Sequence, residues 1–286
     1  MTLFYFHLPW IINEKEYNCS SRSYAEWKSR GSVNIYQGTY FAVAGTIFLI
    51  IYALCLAGMY RGLLLKKACY KLMFFNGFVD IFDLMLCSYI IPYFHFTGAV
   101  FCTSMAFNWF SGHLAYSLWF GASFNCTVLA LNRFVEMIPV ARQVQFLFRG
   151  NLLYMWMLIS AFYMIIVWFT IRPLLFNSVA SAYIGSPMIT DSPSDHDHYT
   201  SLYLKTFTGL TGILYIALEF LPVPQCVVIA AHVIWQLSHG IHGIIYLCFN
   251  VQIRQEVASL LFKSKRKTGS IKSSHRSVLG TSGSHV

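Results

Sequence analysis

Of the 286 residues, 57% are hydrophobic, 17% aromatic and only 11% charged, whereas a soluble domain of this size covers itself with about 25% charge. No water-soluble reading survives that balance. The formal net charge of +9 is gathered in short clusters between long uncharged runs, the pattern of a chain that crosses a membrane repeatedly.

Residues 1–38 form a short segment before the first run. Its stretch from Leu3 to Ile12 is apolar but lacks a basic leader and is broken by Pro9, so a cleaved signal peptide is not expected. Apolar runs then follow over 40–60, 72–95, 96–132, 150–171, 206–218 and 226–250. They show no period-2 alternation, which selects a helical bundle over a barrel in hydrocarbon. The predicted helices are 40–60, 72–95, 99–132, 151–171, 203–221 and 226–250, in a transmembrane bundle spanning 39–252. Residues 253–286 are a basic tail rich in Ser, Gly, Lys and Arg, expected to be largely disordered and to lie near anionic lipid.

Basic residues orient the bundle. Arg61, Lys66, Lys67 and Lys71 follow the first run with no acid among them, which marks that loop as cytoplasmic and the N-terminus as external. Arg133, Arg142 and Arg149 mark the loop after the third run likewise. The stretch 173–201, with Asp191, Asp195 and Asp197, is then external. Two further crossings would leave the tail outside, yet it carries Arg254, Lys263, Lys265, Arg266, Lys267, Lys272 and Arg276. Either one crossing is missing between Arg172 and Lys205, or residues 206–218 do not span. Thirteen residues make only about 20 Å of helix against a hydrocarbon core of roughly 30 Å, although Lys205 and Glu219 could snorkel at the ends.

Several strings address that choice: YNCS at 17–20, YKLMFFNGFVD at 70–80, TGAVFC at 97–102, LALNRFVE at 129–136, FLPVP at 220–224, and WQLSHG with IIYL across 235–247. Together they resemble the nematode serpentine receptor class T chemoreceptors. The resemblance implies an all-α, seven-helix membrane bundle of the G-protein-coupled type, with residues 206–219 as the sixth helix and 226–250 as the seventh. No stretch resembles the fifth helix, so six apolar helices are visible and the fifth is missing. The resemblance further implies a chemoreceptor for a small-molecule chemical ligand, coupled to a heterotrimeric G protein and seated in membrane lipid. No cofactor and no nucleic acid is expected. The expected location is the plasma or sensory ciliary membrane. A shortened chain would signal poorly, stay in the endoplasmic reticulum or associate with other receptor subunits. An integral-membrane enzyme or carrier using buried Asp and His residues is the alternative reading.

Candidate site residues follow from polarity inside the runs. Asp80 and Asp83, three residues apart near mid-bilayer, share a helix face that must turn into the bundle and form an expected polar switch; hydrogen-bonded packing is the plainer alternative. Asn132, Arg133 and Glu136 stand where the third helix meets the cytosol, Arg133 and Glu136 able to pair at i and i+3; the resemblance implies a cytoplasmic lock and coupling point there. The last helix carries a polar motif of Trp235, Gln236, Ser238, His239 and Tyr246, with His232 and His242 nearby. No acidic partner accompanies these histidines in sequence, so interhelical hydrogen bonding is expected and no metal. Gly240 and Gly243 would allow a bend or a close neighbour. His242 departs from the family pattern, which is expected to hold proline there. Of eight cysteines, Cys19 and Cys102 are external, and Cys226 too if a crossing is restored; one bridge among them is allowed, with Cys19–Cys102 favoured and free thiols the alternative. Asn18 begins an N-C-S glycosylation sequon, a weak signal that recurs at Asn125 inside a helix.

Overall fold

The computed structural model describes residues 6–189 and 225–262. Among them four helices are long and apolar enough to cross a membrane: Ile35–Arg61, Ala68–Thr97, Met105–Met137 and Gly150–Thr170. In chain order the elements are α1 (Tyr24–Ser29), α2 (Ile35–Arg61), α3 (Ala68–Met85), α4 (Ile91–Thr97), α5 (Met105–Met137), α6 (Gly150–Thr170), β1 (Leu175–Asn177), β2 (Ala182–Ile184), α7 (Gln225–Phe249) and α8 (Val251–Phe262). A wide π turn, Leu86–Ile90, joins α3 and α4 into one rod. It falls just before Pro92, whose missing N–H removes one rung of the helical ladder.

The first membrane helix starts at Ile35, not near residue 40, because the Asn34 side chain caps it by accepting from the Gln37 N–H at 3.0 Å. The α5 helix starts at Met105 instead of 99. Before it, Thr103 donates to the Val100 carbonyl and accepts from the Val100 N–H, winding Phe101–Thr103 into a 3-10 turn. The tail is not structureless from residue 253, since α8 runs to Phe262 with Ile253 and Val257 buried. Burial at positions four apart, on one helix face, gives a short helix a reason to form against α2. The predicted helix at 203–221, the external acids Asp191, Asp195 and Asp197, the FLPVP string and the basic cluster at 263–276 lie outside the described residues, as does the Cys226 side chain.

Outward faces are apolar: Val43, Ile47 and Ile50 on α2 and Leu158, Phe162 and Ile165 on α6 are exposed, as lipid-facing helices require. The interior is layered. One apolar cluster, with Tyr52, Met59, Met73, Tyr246 and Ile253, lies towards the end that carries Arg61 and Arg133. A second, with Phe41, Ile91, Phe94, Phe176, Tyr183 and Trp235, lies towards the other end. Close approach of α7 to α2 depends on glycine, since a Cβ at Gly240 would strike the Phe48 ring and one at Gly243 would crowd Tyr52.

At the end opposite Arg133 the chain builds a cap. Cys19 and Cys102 are joined by a disulfide, Cα atoms 5.6 Å apart across 83 residues of sequence. The His7 N–H donates to the Phe169 carbonyl at 3.0 Å, Trp109 Nε1 donates to the Pro9 carbonyl at 2.8 Å, and Arg172 pairs with Glu16 at 3.2 Å. Residues 6–34 are thus a folded strap with its own capped helix, where Ser23 and Glu26 cap α1 reciprocally. Beside it the antiparallel β1–β2 hairpin pairs Phe176 with Tyr183 and dips into the bundle.

Candidate functional site

The site starts from one carboxylate. Asp80 on α3 is 0% exposed, a position that is tenable only if every acceptor lone pair in reach is used. Its Oδ2 accepts from the Tyr52 hydroxyl of α2 at 2.6 Å and from Asn76 Nδ2 at 2.7 Å, and meets His242 Nδ1 of α7 at 3.1 Å. Its Oδ1 meets His239 Nδ1 at 2.8 Å. A carboxylate only accepts, so each histidine presents an Nδ1–H to it. Three helices far apart in sequence are tied at one residue.

Asp83, one turn on and equally buried, faces the other side of the same imidazole: His239 Nε2 lies 3.2 Å from its Oδ2. That approach is an ion-pair distance without hydrogen-bond alignment, and Asp83 Oδ1 has no hydrogen-bond partner among the described residues. Cys87 Sγ donates weakly to Asp83 at 3.9 Å. With Nδ1–H committed to Asp80, a second proton on Nε2 would make His239 a cation between two carboxylates, and without that proton neither carboxylate has a counter-charge on His239. A rotation of α7 that changed these distances would therefore change the charge the cluster holds. The acids that the last-helix histidines lack in sequence are supplied from α3. Even so, no group of three or more His, Cys, Asp or Glu among the described residues is arranged to hold a metal ion.

The expected residues divide as follows. Asp80, Asp83 and His239 meet in the cluster. Gln236 is buried and donates to the Phe41 carbonyl at 2.9 Å, tying α7 to α2, while Ser238 donates back to the Trp235 carbonyl within its own helix. Tyr246 packs edge-on to Tyr52 at 5.9 Å and stacks on His242. Asn132 is buried, whereas Arg133 and Glu136 are partly exposed and pair at 3.4 Å, a surface pairing worth little on its own. Arg133 does not join the Asp80 cluster but lines a cavity of about 730 Å³ with Tyr70, Met73, Cys126, His242 and Tyr246. His242 thus touches both, with Nδ1 on Asp80 and its ring at the cavity wall. Asn18 is exposed, its side chain accepting from the Ser20 N–H in a local turn; Asn125 is buried in α5.

Sequence reasoning missed Tyr52 and Asn76. Asn76, four residues before Asp80 on one helix face, carries a readable signal; Tyr52, one aromatic in an unbroken apolar run, carries none. It also missed the strap contact in which His7 Nε2 and His113 Nε2 approach to 3.1 Å with rings stacked at 4.8 Å. Burial, then the Arg172 charge, push the His7 imidazole down to about 4 despite a contact with the Phe169 carbonyl.

The sequence model for the "Serpentine type 7TM GPCR chemoreceptor Srt" matches residues 1–206 and 199–270. The chain is also similar to "Serpentine receptor class T-55" of Caenorhabditis elegans, 22% identical over 87% of this chain and 81% of the relative. No solved structure matches. With nearly its whole length matched to that family and its apolar helices clamped around a buried carboxylate, the chain belongs to the Srt serpentine seven-transmembrane GPCR chemoreceptors, and is a multi-pass membrane receptor, not an enzyme.

Proposed function

We propose that the chain senses a small chemical cue in the half of the bundle beneath the disulfide-bearing cap, and that α7 passes the signal through the Asp80 cluster to a G protein at the Arg133 cavity. The carrying observation is Asp80, a buried acceptor for groups on α2, α3 and α7. A ligand that binds one packing of α7 better than another shifts the population only by that difference in affinity, and the cluster supplies such a difference. The cap then faces outside and Arg61, Arg133 and Arg149 the cytosol, which charge bias supports. The membrane is the plasma or sensory ciliary membrane.

The shortened form belongs to the same proposal. Charge parity asks for one more crossing before α7. A bundle short of one wall would leave polar faces open to lipid, so the chain would be held in the endoplasmic reticulum or rely on other receptor subunits. Inserting a full-length relative's fifth helix between Asp191 and Lys205 should restore surface delivery; wild-type chain that reaches the surface alone and signals fully would sink the deletion.

The signalling reading is tested with a chemical panel and a G-protein reporter in cells, comparing the chain restored with that fifth helix and its Asp80→Asn variant at matched surface levels. The substitution should abolish the cue response while leaving the protein in the membrane. A full response from Asp80→Asn would refute the role given to the cluster. Epitope tags test orientation, the N-terminal tag being accessible on intact cells and the C-terminal tag only after permeabilisation.

A further inference from the structure

The hairpin places an aromatic hydroxyl where a cue would bind. Tyr183 on β2 is 3% exposed and stands edge-on to Phe176 at 5.4 Å, Trp235 at 6.2 Å and Phe94 at 6.5 Å between ring centroids. The first comes from β1 and the others from α7 and α4, so the phenol is enclosed by three aromatic walls on three elements. Its backbone N–H donates to His232 Nε2 at 3.2 Å, fixing the residue on α7 as well. Asn108 of α5 holds the opposite strand by two bonds, donating to the Phe176 carbonyl at 2.8 Å and accepting from the Phe176 N–H at 2.7 Å. The hairpin can sit this low because α5 has Gly112 beneath it, where any Cβ would overlap the Leu174 carbonyl.

An anchor that only filled an apolar socket would be leucine or phenylalanine. Here buried polar groups share the interior with the ring. The Tyr183 hydroxyl, the Trp235 indole N–H and one oxygen of Asp83 are all buried without a hydrogen-bond partner among the described residues. Burial above all pushes the phenol far above its usual range, against an opposing contact with Ser111, so it stays neutral. A buried polar group left unpaired is destabilising. The tether places the ring but leaves the hydroxyl short of its partners.

We propose that Tyr183 is a tethered stand-in for the cue, and that the free ligand which displaces it is a small aromatic molecule carrying a hydroxyl group. Untethered, such a molecule places its ring among Phe94, Phe176 and Trp235 and its hydroxyl on the Asp83 carboxylate, satisfying groups the hairpin leaves unpaired. Displacement also breaks the Tyr183–His232 bond on α7, the helix that carries His239 and His242. The assignment rests on the receptor reading above, but its test does not pass through a G protein.

Tyr183→Ala should open a phenol-shaped site. In full-length protein purified in micelles, 4-methylphenol at ten times its dissociation constant should raise the ratio of folded to unfolded variant about tenfold. Toluene, of the same shape without the hydroxyl, should raise it several-fold less, and wild type should not respond at the same concentrations. Should the variant not fold unaided, adding 4-methylphenol during expression should rescue its yield. No response, no rescue, equal effects of toluene and 4-methylphenol, or an equal response from wild type would each overturn the proposal. If 4-methylphenol binds as expected while no cue drives the G-protein reporter in the chain restored with a fifth helix, the signalling reading falls and the ligand class stands.

Discussion

The tie between Asp80 and His239 predicts non-additive losses of stability. Asp80→Ala strands four donors, on Tyr52, Asn76, His239 and His242. His239→Leu leaves Asp80 its other partners but puts Asp83 in the interior with no imidazole at 3.2 Å. Breaking a buried pair from one side costs about 3–5 kcal/mol, because the remaining charge or donor stays buried. The double variant still strands Tyr52, Asn76 and His242 and leaves Asp83 alone, but it no longer exposes the unmatched half of the Asp80–His239 tie, so it should lose less than the two singles together. Contacting pairs couple by about 0.5–3 kcal/mol, and neutral hydrogen-bonded pairs in membrane proteins average only about 0.6 kcal/mol. A carboxylate with four donors belongs in the upper part of that range, and about 2 kcal/mol is expected, a factor of about 30 in the unfolding equilibrium. Unfolding in mixed micelles titrated with a denaturing detergent measures all four corners of the cycle. Additivity within about 0.5 kcal/mol would show that the two side chains are neighbours and not partners, and the switch built on them would fail.

Three further outcomes follow from the cap and the packing. His7 titrates near 4 in place, below its ordinary 6.5, so the unfolded strap binds more protons between those values; strap stability is present above pH 6.5 and is lost as pH falls towards 4. Protease cleavage of the N-terminal segment in intact membranes should rise across that window, and His7→Phe should flatten the dependence. Cys102→Ser opens a loop of 83 residues, a loss of about 4 kcal/mol by chain entropy, and should lower surface levels in a flow-cytometry assay; unchanged levels would argue that the cap does not need the bond. Gly45→Ala would drive a methyl group into Ser88 Oγ and within 2.7 Å of Gln236 Nε2, costing about 1–3 kcal/mol by overpacking, which melting of the purified variant should register.

Legibility in the sequence follows the range of each interaction. Long uncharged runs expose four membrane helices because hydrocarbon punishes every unpaired backbone group, a rule that acts residue by residue. Asp80 and Asp83 are readable as inward-facing by the same cost. What joins them to His239 is not readable, because those partners are 159 residues apart and nothing in either run names the other. Helix ends were misplaced where short side-chain caps decide them, as at Asn34 and Thr103. The hairpin escapes notice because its strands of three residues are too short to show a period, the strap because its one helix has only six residues, and the buried face of α8 is masked by the basic composition beyond it.

The bond between Cys19 and Cys102 has a consequence for biosynthesis. Both sulfurs must meet in one oxidising compartment, yet the chain between them holds α2 and the α3–α4 rod, a path out of that compartment and back. Oxidation can therefore occur only after both rods have been integrated, when Cys102 emerges on the side where Cys19 already waits. The sulfur pair acts as a molecular timestamp: a nascent chain whose second rod stalls keeps Cys19 reduced, open to capture by thiol-dependent quality control, while a chain that completes the excursion seals itself covalently. Alkylation of arrested nascent chains of increasing length should show Cys19 losing its reactivity in one step, as residue 102 clears the membrane.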